Sequence, residues 1–403
     1  MVNRDETCPV KRWIAMKRFA VLFLLAALAG PAAAQLPNVG LPQLPPVGVQ
    51  TPDLGPTVNS ATSLADLREL RVRELLRTHR RDLEADPSGQ PIVRSQIIAV
   101  GMSEAAIGVA RAAGFQIVRT DDLGEAGALV TLRAPAGQST RRALRRLREA
   151  DPSGTYDFDH LHIESGAVTA LQSFGQASGA RAGPAIGMID SGVAADVPTV
   201  AQRSFVGASP VATAHGTTIA GLLSSAAPGA RIFAADIYGG APTGGASSAL
   251  ARALAWLVSQ DVRTINVSLV GPRNRVVESL VASLVSRGFI IVAAVGNDGP
   301  AAAPLFPAAY DGVVGVTAVD ARERVLIEAG RGEQVDFAAL GVYGRARGTS
   351  YAAPIVAGKL AILTADLHPA NGERSIADLA RQARDLGADG RDNTYGFGLV
   401  EAR

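Results

Sequence analysis

The sequence predicts a small α+β domain followed by a larger open α/β domain, mostly parallel, with helices on both faces of its sheet. Three observations lead there. Beyond Gly166, short and almost wholly apolar runs such as "AIGMID", "RIFAADI", "TINVSLV" and "FIIVAAVGN" alternate with helical runs such as "ASSALARALAWLVSQ"; strands apolar throughout belong to sheets covered on both sides. Between Ser95 and His162 the periodicity switches in the order β-α-β-β-α-β. With 403 residues, 47% of them hydrophobic and 19% charged, the chain can bury one large core or two moderate ones.

In chain order, Lys17-Arg18, the apolar run Phe19 to Gly30 and the exit Ala32-Ala33-Ala34 form a basic, then apolar, then small-residue pattern. That is the pattern of a signal peptide over 1–34, too short to span a bilayer. Residues 35–58, with "LPNVGLPQLPPVGVQTPDLGP", read as an extended linker. Residues 59–94 hold "LADLRELRVRELLRTHRRDLEAD", an amphipathic helical segment whose arginines predict a solvated face. From 95 to 165 follow strand "SQIIAVG", helix "SEAAIGVARAAGF", strands "QIVRT" and "ALVTLRAP", a helix capped by Ser139, and strand "GTYDFDHLH". This is the ferredoxin-like arrangement. Residues 166–403 make the large domain, whose chemistry is expected at the carboxyl ends of its strands.

The net charge of +2 gives no reason to expect a nucleic-acid partner. The single cysteine, Cys8, falls in the segment expected to be removed, so no disulfide framework and no lipid attachment are predicted. A secreted or periplasmic product, off the membrane once the signal is removed, is the expectation. No cluster of oxygen ligands suits calcium, so no metal and no cofactor are predicted.

Three residues carry chemistry as a set. Asp190 ends the apolar strand "AIGMID", His215 opens "HGTTIAGLL", and Ser350 opens the apolar helix "SYAAPIVAGKLAIL". Singly, each has a plain structural reading: a turn cap, a core histidine, a helix N-cap. Together they supply a hydroxyl, an imidazole to take its proton and a carboxylate to orient the imidazole. Of the five histidines only His215 sits at a glycine-flanked helix start in the large domain. The order Asp, His, Ser is the one known for subtilisin, and "GTSYA" lacks the second glycine of an α/β-hydrolase elbow, which disfavours a lipase or esterase.

These segments resemble the subtilase family of serine proteases: "MIDSGV" its Asp motif, "HGTTIAG" its His motif and "GTSYAAPIVAG" its Ser motif. "AAVGNDGP" resembles the segment whose asparagine completes the oxyanion hole, which implies that role for Asn297. The resemblance runs from about Gly183 to "YGFGLVEA" and implies a subtilisin-like fold and an exported serine endopeptidase acting on proteins or peptides. It further implies that the ferredoxin-like domain is a propeptide, an intramolecular inhibitor whose tail "YDFDHLHIESG" is processed near 163–170. "INVSLVGP" resembles the substrate-pairing strand, implying Ser268, Leu269 and Val270 as pocket wall, with Val270 where many relatives carry glycine. Gly239 and Gly240, with Gly244 and Gly245, are expected at the opposite edge, and Gly296 at the pocket; a small or medium apolar side chain is expected at the cleaved position. The alternative is a catalytically silent, subtilase-like binding module.

Ser350 at a helix N-terminus is expected to have an N–H that no intrahelical carbonyl takes, at the end of the helix dipole that favours an oxyanion. Pro354 is expected to be tolerated in the first turn, and Ala352, Ala353 and Gly358 to let the helix lie on the sheet.

Overall fold

The computed structural model describes residues 64–164, 183–364 and 369–402. The expected signal peptide, the linker and residues 165–170 of the processing region lie outside them. The first part runs α1 (Leu64–Thr78), β1 (Leu83–Ala85), β2 (Pro91–Val100), α2 (Glu104–Ala112), β3 (Gln116–Asp122), β4 (Ala128–Arg133), α3 (Thr140–Ala150), β5 (Thr155–His160) and β6 (Ile163–Glu164). Next come β7 (Ala185–Asp190), β8 (Ala201–Ser204), α4 (Ala214–Ala226), β9 (Arg231–Asp236), α5 (Ser247–Ser259), β10 (Thr264–Val267), β11 (Leu269–Val270), α6 (Arg275–Ser286) and β12 (Ile290–Ala294). The chain continues through β13 (Val314–Val319), β14 (Phe337–Leu340), β15 (Val342–Tyr343), β16 (Ala346–Arg347), α7 (Thr349–Leu363), α8 (Pro369–Gln382) and β17 (Leu399–Val400).

The large sheet has eight strands in the order β17-β14-β13-β12-β10-β7-β9-β8, every pairing parallel. Alternation divides its strands between two cores. Ile186 and Met188 of β7 and Ile290 and Val292 of β12 pack with α4 and α7, whereas Ile189, Ile291 and Ala293 pack with α5 and α6. After β7 the chain builds β8 and β9 on one side, then crosses to β10 on the other. The crevice between the carboxyl ends of β7 and β10 is therefore the switch point where α/β sheets bind ligands.

The smaller sheet is antiparallel: β2 pairs with β1, β4 and β5, and β4 with β3. One face, with Ile97, Ala99 and Leu132, packs under Leu144 and Leu147 of α3, which Ser139 caps at its N-terminus. The opposite face, Ile98, Val100 and Leu129, joins the core that contains Leu254 of α5 and Leu280 of α6. Burying each such side chain contributes about 2 kcal/mol, which holds this face against α5 and α6.

Two details depart from the sequence reading. The amphipathic segment is not one solvated helix: α1 stops at Thr78, and β1 and the start of β2 lie within 59–94. Leu75 and Leu76 pack against Leu83, Val93 and Leu161, and Arg68, only 11% exposed, meets Asp298 at 3.4 Å. An ion-pair partner, invisible to helical periodicity, recruits that face. Gly358 faces a neighbouring helix rather than the sheet; a Cβ there would lie 2.6 Å from Ala226 Cβ of α4.

Candidate active site

Asp190, fully buried, ends β7. Its Oδ1 accepts from Ser191 N at 2.8 Å and lies 2.9 Å from His215 Nδ1. His215 occupies the first turn of α4, whose N-cap Thr213 accepts from the Gly216 amide. The next residue must be glycine, because a Cβ on Gly216 would lie 2.6 Å from Ser191 Oγ and 2.7 Å from its carbonyl oxygen. That close approach seats the helix start on the Asp190 turn.

Ser350 is buried in the first turn of α7, after Gly348 at φ 140, a backbone value that disfavours any side chain. Tyr351, the next residue, puts its ring 5.5 Å from the His215 imidazole. The serine and histidine are not hydrogen-bonded to each other: Ser350 Oγ donates to the Ser268 carbonyl at 3.1 Å, and His215 Nε2 is buried without a hydrogen-bond partner.

Pro354 corrects a sequence expectation. It lies beyond the first turn, inside α7, where an ordinary residue would donate to the Ser350 carbonyl. The proline has no N–H to give, and Ser268 Oγ donates to that carbonyl at 3.0 Å instead. The proline is tolerated because a neighbouring strand supplies the missing donor.

Asn297 Oδ1 accepts from the Thr349 amide at 3.0 Å, and Thr349 Oγ1 accepts from Gly296 N at 3.2 Å. An acceptor pinned by a backbone N–H settles which way the amide faces, turning Nδ2 as the donor away from Thr349. Gly296, at φ 103, has a backbone conformation that disfavours any side chain, and a Cβ there would also come 2.7 Å from Leu305 Cδ1.

The cleft is filled by the chain itself. β6 pairs antiparallel with β11, Glu164 opposite Leu269 and Ile163 opposite Val270. On the other side His162 N donates to Gly245 O at 2.7 Å and Leu161 bridges Ala246. Residues 161–164 thus form the middle strand of three. Gly245 and Ala246 are the pairing residues of that second edge; Gly239 and Gly240, named from sequence, make the turn before it, with Gly239 N bonded to Asp236 Oδ1. Ser268, Leu269 and Val270 are all buried in the first edge.

Glu164 brings a third titratable group to the Asp190–His215 pair. Ligand atoms of the three lie within 4.8 Å of one another, the one such trio among the described residues. Asp190 Oδ1 and His215 Nδ1 already bond each other, so the trio is a carboxylate resting on an existing pair rather than an open ligand set. Burial, reinforced by the Asp190 charge, pushes the Glu164 carboxyl above its usual 4.5, with His215 opposing. Burial works against a charged His215, yet the charge and hydrogen bond of Asp190, with Glu164, outweigh it and hold the imidazole above 6.5.

Sequence reasoning missed what anchors this tail. Asp159 accepts from Ser248 N at 2.8 Å and Ser248 Oγ at 2.7 Å, capping α5, whose own N-cap Ala246 offers no side chain. Asp157 Oδ2 accepts from Arg275 N at 2.7 Å at the start of α6. Carboxylates at helix N-termini meet unpaired donors and a favourable dipole. The alternating acids of "YDFDH" were the available signal.

Residues 181–398, more than half of the chain, match the model of the subtilase family, Peptidase_S8. The chain belongs to the subtilase family. Among its relatives, subtilisin Savinase of Lederbergia lenta is 31% identical over 246 residues, 55% of this chain and 89% of that protein. The minor extracellular protease Epr of Bacillus subtilis (strain 168) is 28% identical over 207 residues, 46% of this chain but only 32% of Epr. In fold the subtilase chain is similar to fervidolysin from Fervidobacterium pennivorans, a keratinolytic enzyme related to subtilisin, with a TM-score of 0.65, 17% identity and coverage of 79% of this chain and 61% of that one.

Proposed function

We propose that this subtilase is an exported serine endopeptidase, made as a precursor that cuts itself. The observation that carries the reading is a strand of its own chain, residues 161–164, held antiparallel in the cleft with Glu164 at the Asp190–His215 pair. Ser350 Oγ attacks the peptide carbonyl while His215 Nε2 takes its proton, with Asp190 fixing the tautomer through Nδ1. A small side-chain rotation of Ser350, away from Ser268 O, starts the step. The oxyanion is met by the Ser350 N–H and Asn297 Nδ2. The tetrahedral species collapses as His215 returns the proton to the leaving amine, and water then hydrolyses the acyl-enzyme by the same proton route.

The small domain acts as propeptide and inhibitor, and its processing falls on the C-terminal side of Glu164, within 165–170. Export rests on residues 1–34 as a signal peptide; among the described residues no helix is long and apolar enough to cross a membrane. Expression of wild type and Ser350→Ala, followed by N-terminal sequencing, tests the whole reading. Self-cutting in the first and an intact precursor in the second is the expected result.

A second reading, a silent binding module, is favoured by one observation: Ser350 Oγ engages Ser268 O rather than His215 Nε2. A fluorophosphonate probe separates the two, since absence of labelling at Ser350 in processed protein leaves only the binding role.

A further inference from the structure

The helix α1 reaches both rims of the cleft that holds the tail. Arg68, Val72, Leu75 and Leu76 fall at i, i+4, i+7 and i+8, one face of the helix. That face is turned inward: Val72 is buried, and Leu75 and Leu76 pack on the cluster of Leu83, Val93, Leu161 and Ala246. Leu161 belongs to the tail, and Ala246 to the second edge that it bridges. Toward the other end of α1, Arg68 Nε lies 3.4 Å from Asp298 Oδ2. Asp298 follows Gly296 by two residues, and a Cβ on Gly296 would come 3.6 Å from Val270 Cγ1 of the first edge. From Leu75 back to Arg68 the helix runs about 10 Å. Two strand spacings, also about 10 Å, separate the outer members of a three-stranded arrangement, so the span fits the cleft.

We propose that α1 is a strap over residues 161–164, docked on Asp298 at one rim and on Ala246 at the other, and that it keeps the tail in the cleft after the chain is cut. The inference rests on the proteolytic reading and names its regulation. Leu75 and Leu76 fasten the helix to the small module through Leu83 and Val93, whereas Arg68 reaches the neighbour of Asn297. Lifting the strap therefore takes Arg68 from Asp298. An apolar face alone tolerates sliding, but a guanidinium that is 11% exposed is costly without its carboxylate, so the ion pair fixes where the helix lies.

The charges around the helix support the same picture. Burial pushes the Asp298 carboxyl above its usual 3.8, and Arg68 and Arg71 oppose that shift. Burial in turn pulls Arg68 below its ordinary value, with Asp298 opposing and Arg71 adding repulsion. Arg68 also bears on the His162 imidazole, and Arg71 draws the Glu164 carboxyl down against its burial. Two cations three residues apart on α1 thus act on two side chains of the tail and one of the rim. Arg68 Nη1 is buried without a hydrogen-bond partner, which makes this pair the weak point at which the strap opens.

The test uses the full chain and reads the interval between completed self-cutting and the appearance of casein activity. Arg68→Ala is expected to shorten that interval about threefold, and Arg68→Lys to leave it close to wild type. Arg68→Glu should shorten it about tenfold, the lost attraction and the added repulsion each counting about threefold. Final activity should be equal in all of these proteins, since α1 has left the enzyme by then. The same substitutions in a Ser350→Ala background give a readout that needs no turnover. Hydrogen exchange at the amides of residues 161–164 should quicken from lysine to alanine to glutamate, while the amides of β7 and β10 stay protected. An interval and an exchange rate that ignore the charge at position 68 overturn the strap and leave the proteolytic reading standing. A wild-type chain that never cuts, with exchange still following that charge, keeps the strap as a cover of the cleft and sinks the proteolytic reading instead.

Discussion

The candidate catalytic centre and the junction beneath the small sheet each bury a carboxylate completely, and the two carboxylates face opposite kinds of partner. Asp190 faces an imidazole, a partner that gains and loses a proton. Asp159 faces the amide and hydroxyl of Ser248 and the side-chain amide of Gln96, fixed dipoles that accept no proton at ordinary pH. Burial raises Asp159 above 3.8, and the bonds to Ser248 pull it back. The difference teaches that burial of an acid says nothing of its task; the chemistry of its partner does. On the proposed reading one carboxylate steers a proton, and the other fastens the small module to the large one.

Breaking the first region should cost turnover and leave the fold intact. Ser350→Ala is expected to lower kcat by about a million-fold, the scale known from subtilisin, with the precursor remaining uncut and its Tm unchanged. Asn297→Ala should lower kcat about 100- to 1,000-fold, also a subtilisin magnitude, with KM little altered. Titration of kcat/KM sharpens this side further. Asp190 holds His215 above 6.5 against its burial, so activity of the processed enzyme should rise with pH as the imidazole gives up its proton.

Breaking the second region should leave the processed enzyme's kcat alone and shorten the latency of the cleaved complex. Asp159→Ala removes charge-assisted bonds worth about 1.5–3 kcal/mol, so casein activity should appear about 10- to 100-fold sooner after processing. The smallest effect belongs to Glu164. Its pKa in the cleft is raised, so the cleft favours the protonated acid. Glu164's contribution to the tail's hold therefore weakens as pH rises from the ordinary 4.5 through the raised value. A peptide of residues 159–170 with Glu164→Gln should escape this, binding several-fold better than the parent at neutral pH and equally well in acid, as read by fluorescence anisotropy. A parent peptide whose affinity runs parallel to the glutamine version across that range removes Glu164 from the account.

The parallel sheet, the strand end and helix start that bring Asp190 to His215, and the helix start at Ser350 were legible because each rests on local signals: an apolar strand ending in Asp190, a glycine after His215, a small-residue run at Ser350. The anchoring role of Asp157 and Asp159 was not, because their partners are 118 and 89 residues away and an alternating acid looks like any solvated strand face. Arg68 was hidden for the same reason, its partner Asp298 belonging to the far side of the fold. Pro354 was misread because its consequence depends on a hydroxyl from another strand, Ser268, which no helix rule includes.

That exchange between Ser268 and Ser350 has a mechanical meaning. Ser268 Oγ donates to the Ser350 carbonyl, so on the proposed reading the helix start that carries the nucleophile is tied directly to the strand along which an incoming backbone pairs. On that reading fit and reactivity share a single hinge, and poor substrates should lose rate as well as affinity.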